Sequence, residues 1–378
     1  MPETAAPATV RRRVLPRCRR LAALFAGGLL CSAVLAAAPV PAAPVPAAPV
    51  PAAPVPAAPA PAVPVPAVPT PGASEAVRIT EFTPPTAGSG PLGITAGPDG
   101  NVWFTENGIN RVARITPRGR ITEFPLPTPD AFPDDITAGA DGNLWFSEPS
   151  LNRIGRITPR GKVTEFPLPT VDAFPFGITR GPDGNVWFTE NGSNSIGRIT
   201  PRGKVTEFRL PTPDSLPYRI TAGPDGNLWF TMPFVNKIGR ITPKGRVTEF
   251  ALPNLQGAPF NITAGPDGNL WFTDGGGLDH EIVRMTRYGT VTRFPLPTRN
   301  AGPIGITAGR DGNLWFAESN LDRIGRITPR GVITEYPLPG SAEGRSPFHI
   351  APGPDGTLWF TELIGNKVGR VKPGGRAG

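Results

Sequence analysis

Short runs of alternating apolar and polar residues, separated by glycine and proline, follow one another from residue 77 to residue 371. One run, such as VWFTE, has an aromatic centre, and the next, such as KIGRIT, alternates with a period of two. This period and length are typical of β-strands. The intervening Pro-Asp-Gly-Asn and Pro-Arg-Gly-Lys segments supply the positive-φ residues that tight turns require. The pattern predicts an all-β fold.

The strand pattern repeats, and each repeat contains one tryptophan. The tryptophans are spaced by 42, 42, 42, 42, 44 and 44 residues: Trp103, Trp145, Trp187, Trp229, Trp271, Trp315 and Trp359. A period of about 40 residues with four short strands is typical of a β-propeller, which here has seven blades. Residues 77–82 match a fourth strand without three strands before them, and the chain ends after a third strand at 367–371. We therefore predict that the N-terminal strand completes the last blade and closes the ring.

Two segments precede the predicted propeller at 77–378. In residues 1–38, six arginines precede an Ala-rich apolar stretch, which is typical of a signal peptide. An uncleaved membrane anchor is the alternative, because the stretch approaches the roughly 18–20 residues that cross a bilayer. Residues 39–76 are rich in Pro and Ala and predict an extended linker. We expect a secreted or cell-envelope-associated monomer, with the linker as its connection to the envelope.

Cysteine and charge narrow the chemistry. Cys18 and Cys31 both lie in the leader, so the propeller has no thiol for a disulfide, for catalysis or for a cysteine-type zinc site. The chain has 38 basic and 30 acidic residues; residues 1–38 hold six Arg and one Glu, which leaves 32 against 29, a net charge of +3. The basic residues are spread evenly over the repeats, which argues against nucleic-acid binding.

The repeats differ most in the two residues that precede the first strand's isoleucine. In order around the ring they are Leu92-Gly93, Asp134-Asp135, Phe176-Gly177, Tyr218-Arg219, Phe260-Asn261, Ile304-Gly305 and Phe348-His349. We expect these residues to meet at the mouth of the central channel, where propeller function gathers. The candidate site residues are Asp134, Asp135, Tyr218, Arg219, Asn261 and His349. Such a mixed set can bind a small or peptidic ligand by hydrogen bonds, or its members can pair with one another, as Asp135 with Arg219.

Two further features are candidates for binding. An acidic residue ends the second strand of every repeat except one: Glu106, Glu148, Glu190, Met232, Asp274, Glu318 and Glu362. Converging acids can hold a divalent cation, whereas their repetition favours structural ion pairs with the arginine in each third strand. The loop from Gly275 to Glu281 is two residues longer than its counterparts and contains His280. It predicts either a small lid with His280 as a ligand-binding residue or a tolerated insertion.

The repeat text resembles a known family. No GxSxG elbow, HExxH motif, P-loop or EF-hand loop occurs in the sequence. Units such as GITAGPDGNVWFTE and NKIGRITPKGRVTEFALP resemble the virginiamycin B lyase (streptogramin B lyase) family over about residues 77–371. The resemblance implies a magnesium-dependent elimination that opens a cyclic depsipeptide. In it, a histidine removes the proton α to the ester carbonyl while Mg²⁺ and neighbouring residues stabilise the enolate.

This sequence departs from the family's pattern at the site. The slots of two family histidines hold Ile304 and Phe348, and a family glutamate slot holds Ser346. Glu362 lies near another family glutamate, and His349 lies one residue beyond a histidine slot. Alternation along an extended strand predicts that the His349 side chain faces away from that of Phe348.

Two hypotheses follow. The first is a propeller that binds a small or peptidic ligand at the channel mouth without lyase turnover. The second is a Mg²⁺-dependent lyase in which His349 is the base and Glu362 lies near the metal. In that case Tyr218 or Arg219 stabilises the enolate.

Overall fold

The computed structural model describes residues 77–253, 257–276, 280–340 and 344–374. The predicted leader and linker, residues 277–279 of the long loop and the last four residues lie outside these ranges. The described residues form seven four-stranded antiparallel sheets within the compact unit Glu75–Gly378. No helix in the described ranges is long and apolar enough to cross a membrane. The predicted seven-bladed propeller is confirmed.

Each blade uses its four strands in order, and the first strands of successive blades contact one another around the centre. Blades 1 to 3 are β2 (Pro91–Ala96), β3 (Val102–Glu106), β4 (Arg111–Ile115) and β5 (Ile121–Pro125); β6 (Ile136–Ala138), β7 (Leu144–Glu148), β8 (Arg153–Ile157) and β9 (Val163–Pro167); β10 (Pro175–Arg180), β11 (Val186–Glu190), β12 (Ser195–Ile199) and β13 (Val205–Arg209). Blades 4 to 6 are β14 (Ile220–Ala222), β15 (Leu228–Met232), β16 (Lys237–Ile241) and β17 (Val247–Ala251); β18 (Pro259–Ala264), β19 (Leu270–Asp274), β20 (Glu281–Met285) and β21 (Val291–Pro295); β22 (Pro303–Ala308), β23 (Leu314–Glu318), β24 (Arg323–Ile327) and β25 (Ile333–Pro337). Short 3₁₀ turns follow β3, β7 and β15 at Asn107–Ile109, Pro149–Leu151 and Pro233–Val235.

Blade 7 joins the two ends of the propeller. It consists of β26 (Pro347–Pro352), β27 (Leu358–Glu362), β28 (Lys367–Lys372) and β1 (Arg78–Phe82). β1 pairs antiparallel with β28, from Arg78 opposite Lys372 to Phe82 opposite Val368. This is the predicted closure, and it ties the first described strand to the last by a backbone ladder.

The Trp-Phe pair in each second strand forms the core on both faces of the blade. Trp103 packs with Leu144 and Phe146 of blade 2, whereas Phe104 packs with Trp359 of blade 7. Both side chains are fully buried. Adjacent strand residues point to opposite faces, so a Trp-Phe pair fills the interfaces with both neighbouring blades.

A β-bulge interrupts the alternation at the start of the first strands. In blade 7, Pro347 pairs with Glu362 and Ile350 with Phe360, so Phe348 and His349 together oppose one residue. The two rings stack, with centroids 5.3 Å apart and planes 10° apart. The prediction that these two side chains face opposite ways is wrong, because a bulge removes the period of two.

A ring of hydroxyl groups links each bulge to the next blade. Thr105 Oγ1 accepts a hydrogen bond from the backbone N–H of Gly93 at 2.8 Å and donates to the carbonyl of Asp134 at 2.7 Å. Five other blades have a hydroxyl in the same place, and blade 6 has Ala317. The bulges are therefore held by the scaffold, although the residues in them vary.

Candidate functional site at the channel mouth

Charged side chains from two blades and an imidazole from a third meet at the mouth of the channel. Arg219 Nη1 in blade 4 lies 2.6 Å from Asp134 Oδ1 and 3.3 Å from Asp135 Oδ2, both in blade 2. His349 Nδ1 in blade 7 lies 3.8 Å from Asp135 Oδ1. Because blades 2, 4 and 7 are not neighbours, these contacts cross the channel. Asp134, Asp135, Arg219, His349 and the adjacent Tyr218 are termed the mouth cluster below.

The segment that precedes β6 positions the two aspartates, because the N–H of Asp134 donates to the carbonyl of Ser147 and the N–H of Ser147 donates to the carbonyl of Asp135, both at 3.0 Å. Asp135 Oδ1 accepts a hydrogen bond from the N–H of Ile136 at 2.9 Å, and Oδ2 accepts one from the N–H of Ile178 in blade 3 at 3.2 Å. Burial raises the pKa of Asp135 to about 6, although the charge of Arg219 opposes this shift. Asp135 is therefore mainly ionised at pH 7 and titrates in mildly acidic conditions.

Arg219 is the central cation of the cluster, and its residue is 3% exposed. Burial alone would lower the pKa of its guanidinium, but Asp134, Tyr218 and Asp135 raise it above the ordinary value. The guanidinium lies 4.6 Å from the centroid of the Tyr218 ring, and Nη2 donates to the Tyr218 hydroxyl at 3.3 Å. Burial raises the pKa of Tyr218 to about 12, so its phenol is neutral. Arg219 Nε is buried and has no hydrogen-bond partner in the protein.

His349 is a buried neutral imidazole. Burial, with a further contribution from the positive charge of Arg219, lowers its pKa well below the ordinary value. Its backbone N–H donates to Thr361 Oγ1 at 3.1 Å, which fixes the bulge. Nε2 is buried without a hydrogen-bond partner in the protein. The ring thus presents one polar atom that a ligand can satisfy.

Aromatic side chains border the cluster on blades 3 to 5. The Tyr218 ring lies 5.7 Å from that of Phe176 and 5.4 Å, edge to face, from that of Phe260, measured between centroids. Phe176 and Phe260 are half-buried. Asn261 is also half-buried and occupies in blade 5 the bulge position that Arg219 has in blade 4. The mouth therefore combines an aromatic arc with a charged cluster.

Three glycines make room for the cluster, and sequence reasoning missed this role. A Cβ on Gly93 would lie 2.6 Å from the carbonyl oxygen of Asp134. A Cβ on Gly177 would lie 2.7 Å from that of Tyr218, and one on Gly305 would lie 2.5 Å from that of Phe348. Each glycine thus precedes, by one blade, a bulge that contributes a charged or imidazole side chain. That order is visible in the sequence and is the signal that could have identified them.

His280 lies apart from the mouth cluster. Its Nδ1 accepts a hydrogen bond from the N–H of Gly302 at 2.9 Å. In blades 1 and 2 the same bond is made by Asn110 and Asn152, whose side-chain oxygens accept from backbone N–H groups at 2.8 Å. His280 therefore replaces a structural asparagine beside the outer strand of blade 5.

The acids that end the second strands point outwards within their blades. Glu190 Oε1 lies 2.7 Å from the position of a Cβ on Gly197, and Gly197 pairs with Glu207 of the outer strand. Burial raises to about 8 the pKa values of Glu106, Glu148, Glu190, Glu318 and Glu362. The predicted ion pairs with third-strand arginines are wrong.

The third-strand arginines have other partners. Arg114 Nη1 lies 3.4 Å from Asp99 Oδ2 in the turn between the first two strands, and it donates to the carbonyl of Pro159 in blade 2 at 3.0 Å. Its guanidinium also lies 5.5 Å from the centroid of the Trp103 ring. These arginines therefore seal the blade interfaces at the end opposite to the mouth.

The surroundings of Glu362 do not fit a magnesium site. Burial, reinforced by the charge of Glu81, raises its pKa to about 8, which favours the neutral acid. The neighbouring Glu81 is already paired with Arg345 at 2.6 Å and with Lys367. Across the described ranges, no group of three or more His, Cys, Asp or Glu side chains is arranged to hold a metal ion. Glu362 pairs with Pro347 beside the bulge of His349, but its carboxyl group faces Glu81 of the outer strand.

The fold and the mouth define the class of protein: a seven-bladed propeller with a single polar cluster across its channel. The model of the virginiamycin B lyase family matches residues 73–214 and 178–377, and the chain belongs to this family. The resemblance of the repeats is thereby confirmed.

Solved structures agree with this assignment. A streptogramin B lyase structure has 41% identity and a TM-score of 0.73, covering 79% of this chain and 98% of that chain. Virginiamycin B lyase from Staphylococcus aureus has 43% identity and a TM-score of 0.74, covering 79% and 99%. A catalytically inactive histidine-to-alanine variant of virginiamycin B lyase from S. aureus, with quinupristin, has 41% identity, a TM-score of 0.74 and the same coverage. Hydrazine synthase from Kuenenia stuttgartiensis, 18% identical with a TM-score of 0.65, shares the fold alone.

Proposed function

We propose that this protein binds a small or peptidic ligand at the channel mouth through the mouth cluster. The observation that carries the proposal is the contact of Arg219 with Asp134 and Asp135 across the channel, with His349 beside them. A repeated scaffold position would recur in every blade, whereas each of these residues occurs once. Their placement at the mouth therefore supports binding rather than fold maintenance alone.

The chemistry of the mouth favours a ligand with both peptide groups and apolar side chains. Arg219 Nε and His349 Nε2 are buried polar atoms without partners in the protein. Leaving such atoms unsatisfied costs about 1–3 kcal/mol each, which a ligand amide or ester group can recover. Phe176, Tyr218 and Phe260 offer an aromatic arc beside them. A compact peptide or depsipeptide can form hydrogen bonds with the unpartnered polar atoms and pack its apolar side chains against the aromatic arc.

Quinupristin, present with one of the solved relatives, is the natural first probe. We expect calorimetry to show binding that weakens about tenfold or more in His349→Ala, because a ligand hydrogen bond in a buried site is lost. His280→Asn is the matched control, since it restores the residue that other blades use and leaves the mouth unchanged. Equal affinities of the two variants would refute binding through the mouth cluster.

A lyase is the second candidate, and the neutral state of His349 favours it. An unprotonated imidazole with an unpartnered Nε2 can accept a carbon-bound proton. In an elimination, that proton goes to His349 while a carbon–carbon double bond forms. The double bond forms between the deprotonated carbon and the neighbouring alkyl carbon that bears the ester oxygen. The bond from that alkyl carbon to the ester oxygen breaks, and its electron pair leaves on the carboxylate. Arg219 and Tyr218 are placed to stabilise the negative charge that develops.

Mass spectrometry separates the two candidates. Incubation with quinupristin, with and without Mg²⁺, yields a linear product of unchanged mass if the protein is a lyase. Product formed by the wild type and by His280→Asn but not by His349→Ala would establish His349 as the base. Binding without product at high protein concentration would identify a binding protein.

We also propose that residues 1–38 direct export and that the mature protein is a secreted or envelope-associated monomer. The basic and apolar pattern of the leader supports this proposal. N-terminal sequencing of the mature protein should begin close to residue 39, and an intact N-terminus in the membrane fraction would indicate an anchor instead. Light scattering on the purified protein tests whether it is a monomer in solution.

A further inference from the structure

The ends of the propeller differ in charge, because basic residues that are evenly spaced in the sequence come together in space. The turns between first and second strands and between third and fourth strands all lie at the end opposite to the mouth, here termed the turn face. Residues at the same position in each repeat must lie on the same face of the ring. Even spacing along the chain, which argued against a basic surface, is therefore what creates one.

Fourteen exposed basic residues lie on the turn face. They are Arg78, Arg118, Arg120, Arg160, Lys162, Arg180, Arg202, Lys204, Lys244, Arg246, Arg287, Arg310, Arg330 and Lys372. None of them has an ion-pair partner within 4.0 Å among the described residues. At the mouth end, by contrast, the exposed bases of the described chain are Arg209 and Arg299.

The acids of the turn face do not neutralise this ring. Each blade has one aspartate there, and Asp99, for example, accepts hydrogen bonds from the indole N–H of Trp103 at 3.0 Å and from the side chain of Asn101 at 2.8 Å. Its charge is matched by the half-buried Arg114 at 3.4 Å, and the equivalent pairs in blades 2 to 5 lie at 3.9–4.0 Å. The charges of the aspartates and of the third-strand arginines cancel each other. The fourteen exposed bases therefore determine the net charge of the turn face.

The basic residues stand at a common level. The turn between third and fourth strands closes in the same way in blades 1 to 6, with a glycine N–H donating to a threonine carbonyl at 2.8–2.9 Å, as Gly161 does to Thr158. Turns of equal length and geometry carry their tips to the same height. Tyr288 and Val332, which are 75% and 63% exposed, lie among these tips. Tyrosine is enriched where proteins meet the interface of a bilayer.

We propose that the turn face docks on an anionic phospholipid bilayer. Charges act across roughly 8 Å at physiological ionic strength, so only a flat partner engages the whole ring at once. A nucleic-acid duplex is a rod and would contact only the turns along its axis. β1 also begins at Arg78 on this face, so the first described strand starts at the end that we assign to the membrane.

Vesicle co-sedimentation of the full-length chain tests the proposal. Vesicles of phosphatidylcholine with 30 mol % phosphatidylglycerol are compared with pure phosphatidylcholine. One base close to an anionic bilayer strengthens binding by about fivefold, so Arg160→Gln/Arg202→Gln should weaken partitioning by at least about tenfold. Adding Lys162→Gln and Lys204→Gln should weaken it further. Binding should also fall steeply as salt is raised.

The matched control is Arg209→Gln/Arg299→Gln, which removes the same charge from the mouth end. It should partition within about twofold of the wild type, and residues 1–76 are common to all variants, so their own membrane affinity cancels. Equal losses in the two double variants would refute docking through the turn face. Tighter binding to duplex DNA than to vesicles at equal phosphate concentration would do the same. Quinupristin binding should be unaffected in every variant, which separates this test from that of the mouth.

Discussion

The outer strands and the channel mouth use charge in opposite ways. In blade 2, Glu165 Oε2 accepts from Arg153 Nη1 and from Thr128 Oγ1 of the preceding blade connection, both at 2.6 Å. The threonine–glutamate bond recurs in blades 1, 3, 4 and 6, and it joins each blade to the connection that precedes it. The mouth has one ion-paired cluster, largely buried, made from residues that occur once. Repetition marks the scaffold, and its absence marks the candidate site.

Three blades depart from the outer network and make the same point. Blade 3 has Ser195 at the start of its third strand, where the other blades have a charged residue, and Glu207 there accepts from Thr170. Blade 4 has Met232 in place of the second-strand acid, and blade 5 has Arg293 in place of the outer glutamate. Arg293 then pairs with Asp274 at 3.2 Å and with Glu281 at 2.6 Å. A repeated network tolerates such exchanges because it is divided among the blades, and each exchange changes the contacts of one blade. The mouth cluster has no second copy, so replacing one of its residues removes contacts of the residues on the other side of the channel.

The largest effect should come from the central cation. Arg219→Met leaves Asp134 and Asp135 buried without their counter-ion, and we expect a loss of about 3–5 kcal/mol in the free energy of unfolding. The scaffold comparison is Arg156→Met, a half-buried, stacked arginine for which about 1 kcal/mol is expected. Urea denaturation measures both, and adding Asp134→Asn and Asp135→Asn to Arg219→Met should restore part of the loss. Equal losses for the two arginines would contradict the distinction between mouth and scaffold.

A glycine beside the mouth should come next. Gly305→Ala brings a methyl group within 2.5 Å of the Phe348 carbonyl, so the bulge that holds His349 must shift. We expect about 1–3 kcal/mol of destabilisation, as for overpacked cores, together with weaker quinupristin binding. Gly275→Ala is the control, because a Cβ there meets no atom of the described residues within 4 Å. Full ligand affinity in Gly305→Ala would show that the bulge does not position the site.

The hydroxyl groups that link the bulges to the next blade should have a smaller effect on stability. They can be tested by removing one hydroxyl and by adding one where it is missing. Thr231 Oγ1 accepts from the N–H of Arg219 at 3.1 Å and donates to the carbonyl of Phe260 at 2.9 Å. Thr231→Ala should cost about 1–2 kcal/mol, since it leaves both groups unsatisfied. Blade 6 lacks this hydroxyl, and Ala317→Thr should therefore gain stability if the ring is a general device. Thermal denaturation of both variants decides whether the link operates in every blade.

The smallest expected effect is on the pH dependence of the free energy of unfolding, to which different blades contribute with opposite sign. The pKa of Glu106 is raised to about 8 by burial, so the folded state retains a proton that the unfolded chain releases above its pKa of about 4.5. Stability therefore falls as pH rises between these values. Glu106→Gln should reduce this fall, with its largest stabilisation near pH 9.

Glu249 in blade 4 provides the opposite case. Although burial acts to raise its pKa, hydrogen bonds from Thr212 and Lys237 hold it below the ordinary value. Its contribution to stability is present at neutral pH and is lost in acid. Glu249→Gln should therefore destabilise the protein at pH 7. Melting temperatures across pH 5–9 would show the two variants diverging, and parallel curves would contradict the assigned charge states.

Much of the candidate site could be identified without coordinates. The variable pair in each first strand contains Asp135, Arg219 and His349, and the structure brings these three together. The longer loop indicates His280, and the family resemblance indicates Glu362, but both side chains lie outside the mouth cluster: His280 replaces a structural asparagine, and Glu362 points towards the outer strand. Residue type indicates which chemistry a side chain can perform, but the direction of the side chain decides whether it performs it at the site.

The seven tryptophans, the turn glycines and the unmatched strand at each terminus determined the number of blades and their closure. These features are local or periodic, and backbone geometry converts them directly into strands, turns and a ring. Only the tertiary structure decided where the charges act. A bulge at Phe348 and His349 interrupts the alternation of side chains that a prediction from a regular strand assumes. Because the ring is closed, residues one repeat apart in the sequence are related by a rotation about the central axis. The evenly spaced arginines therefore lie on one face of the propeller. The same closure brings single residues from blades 2, 4 and 7 together across the channel.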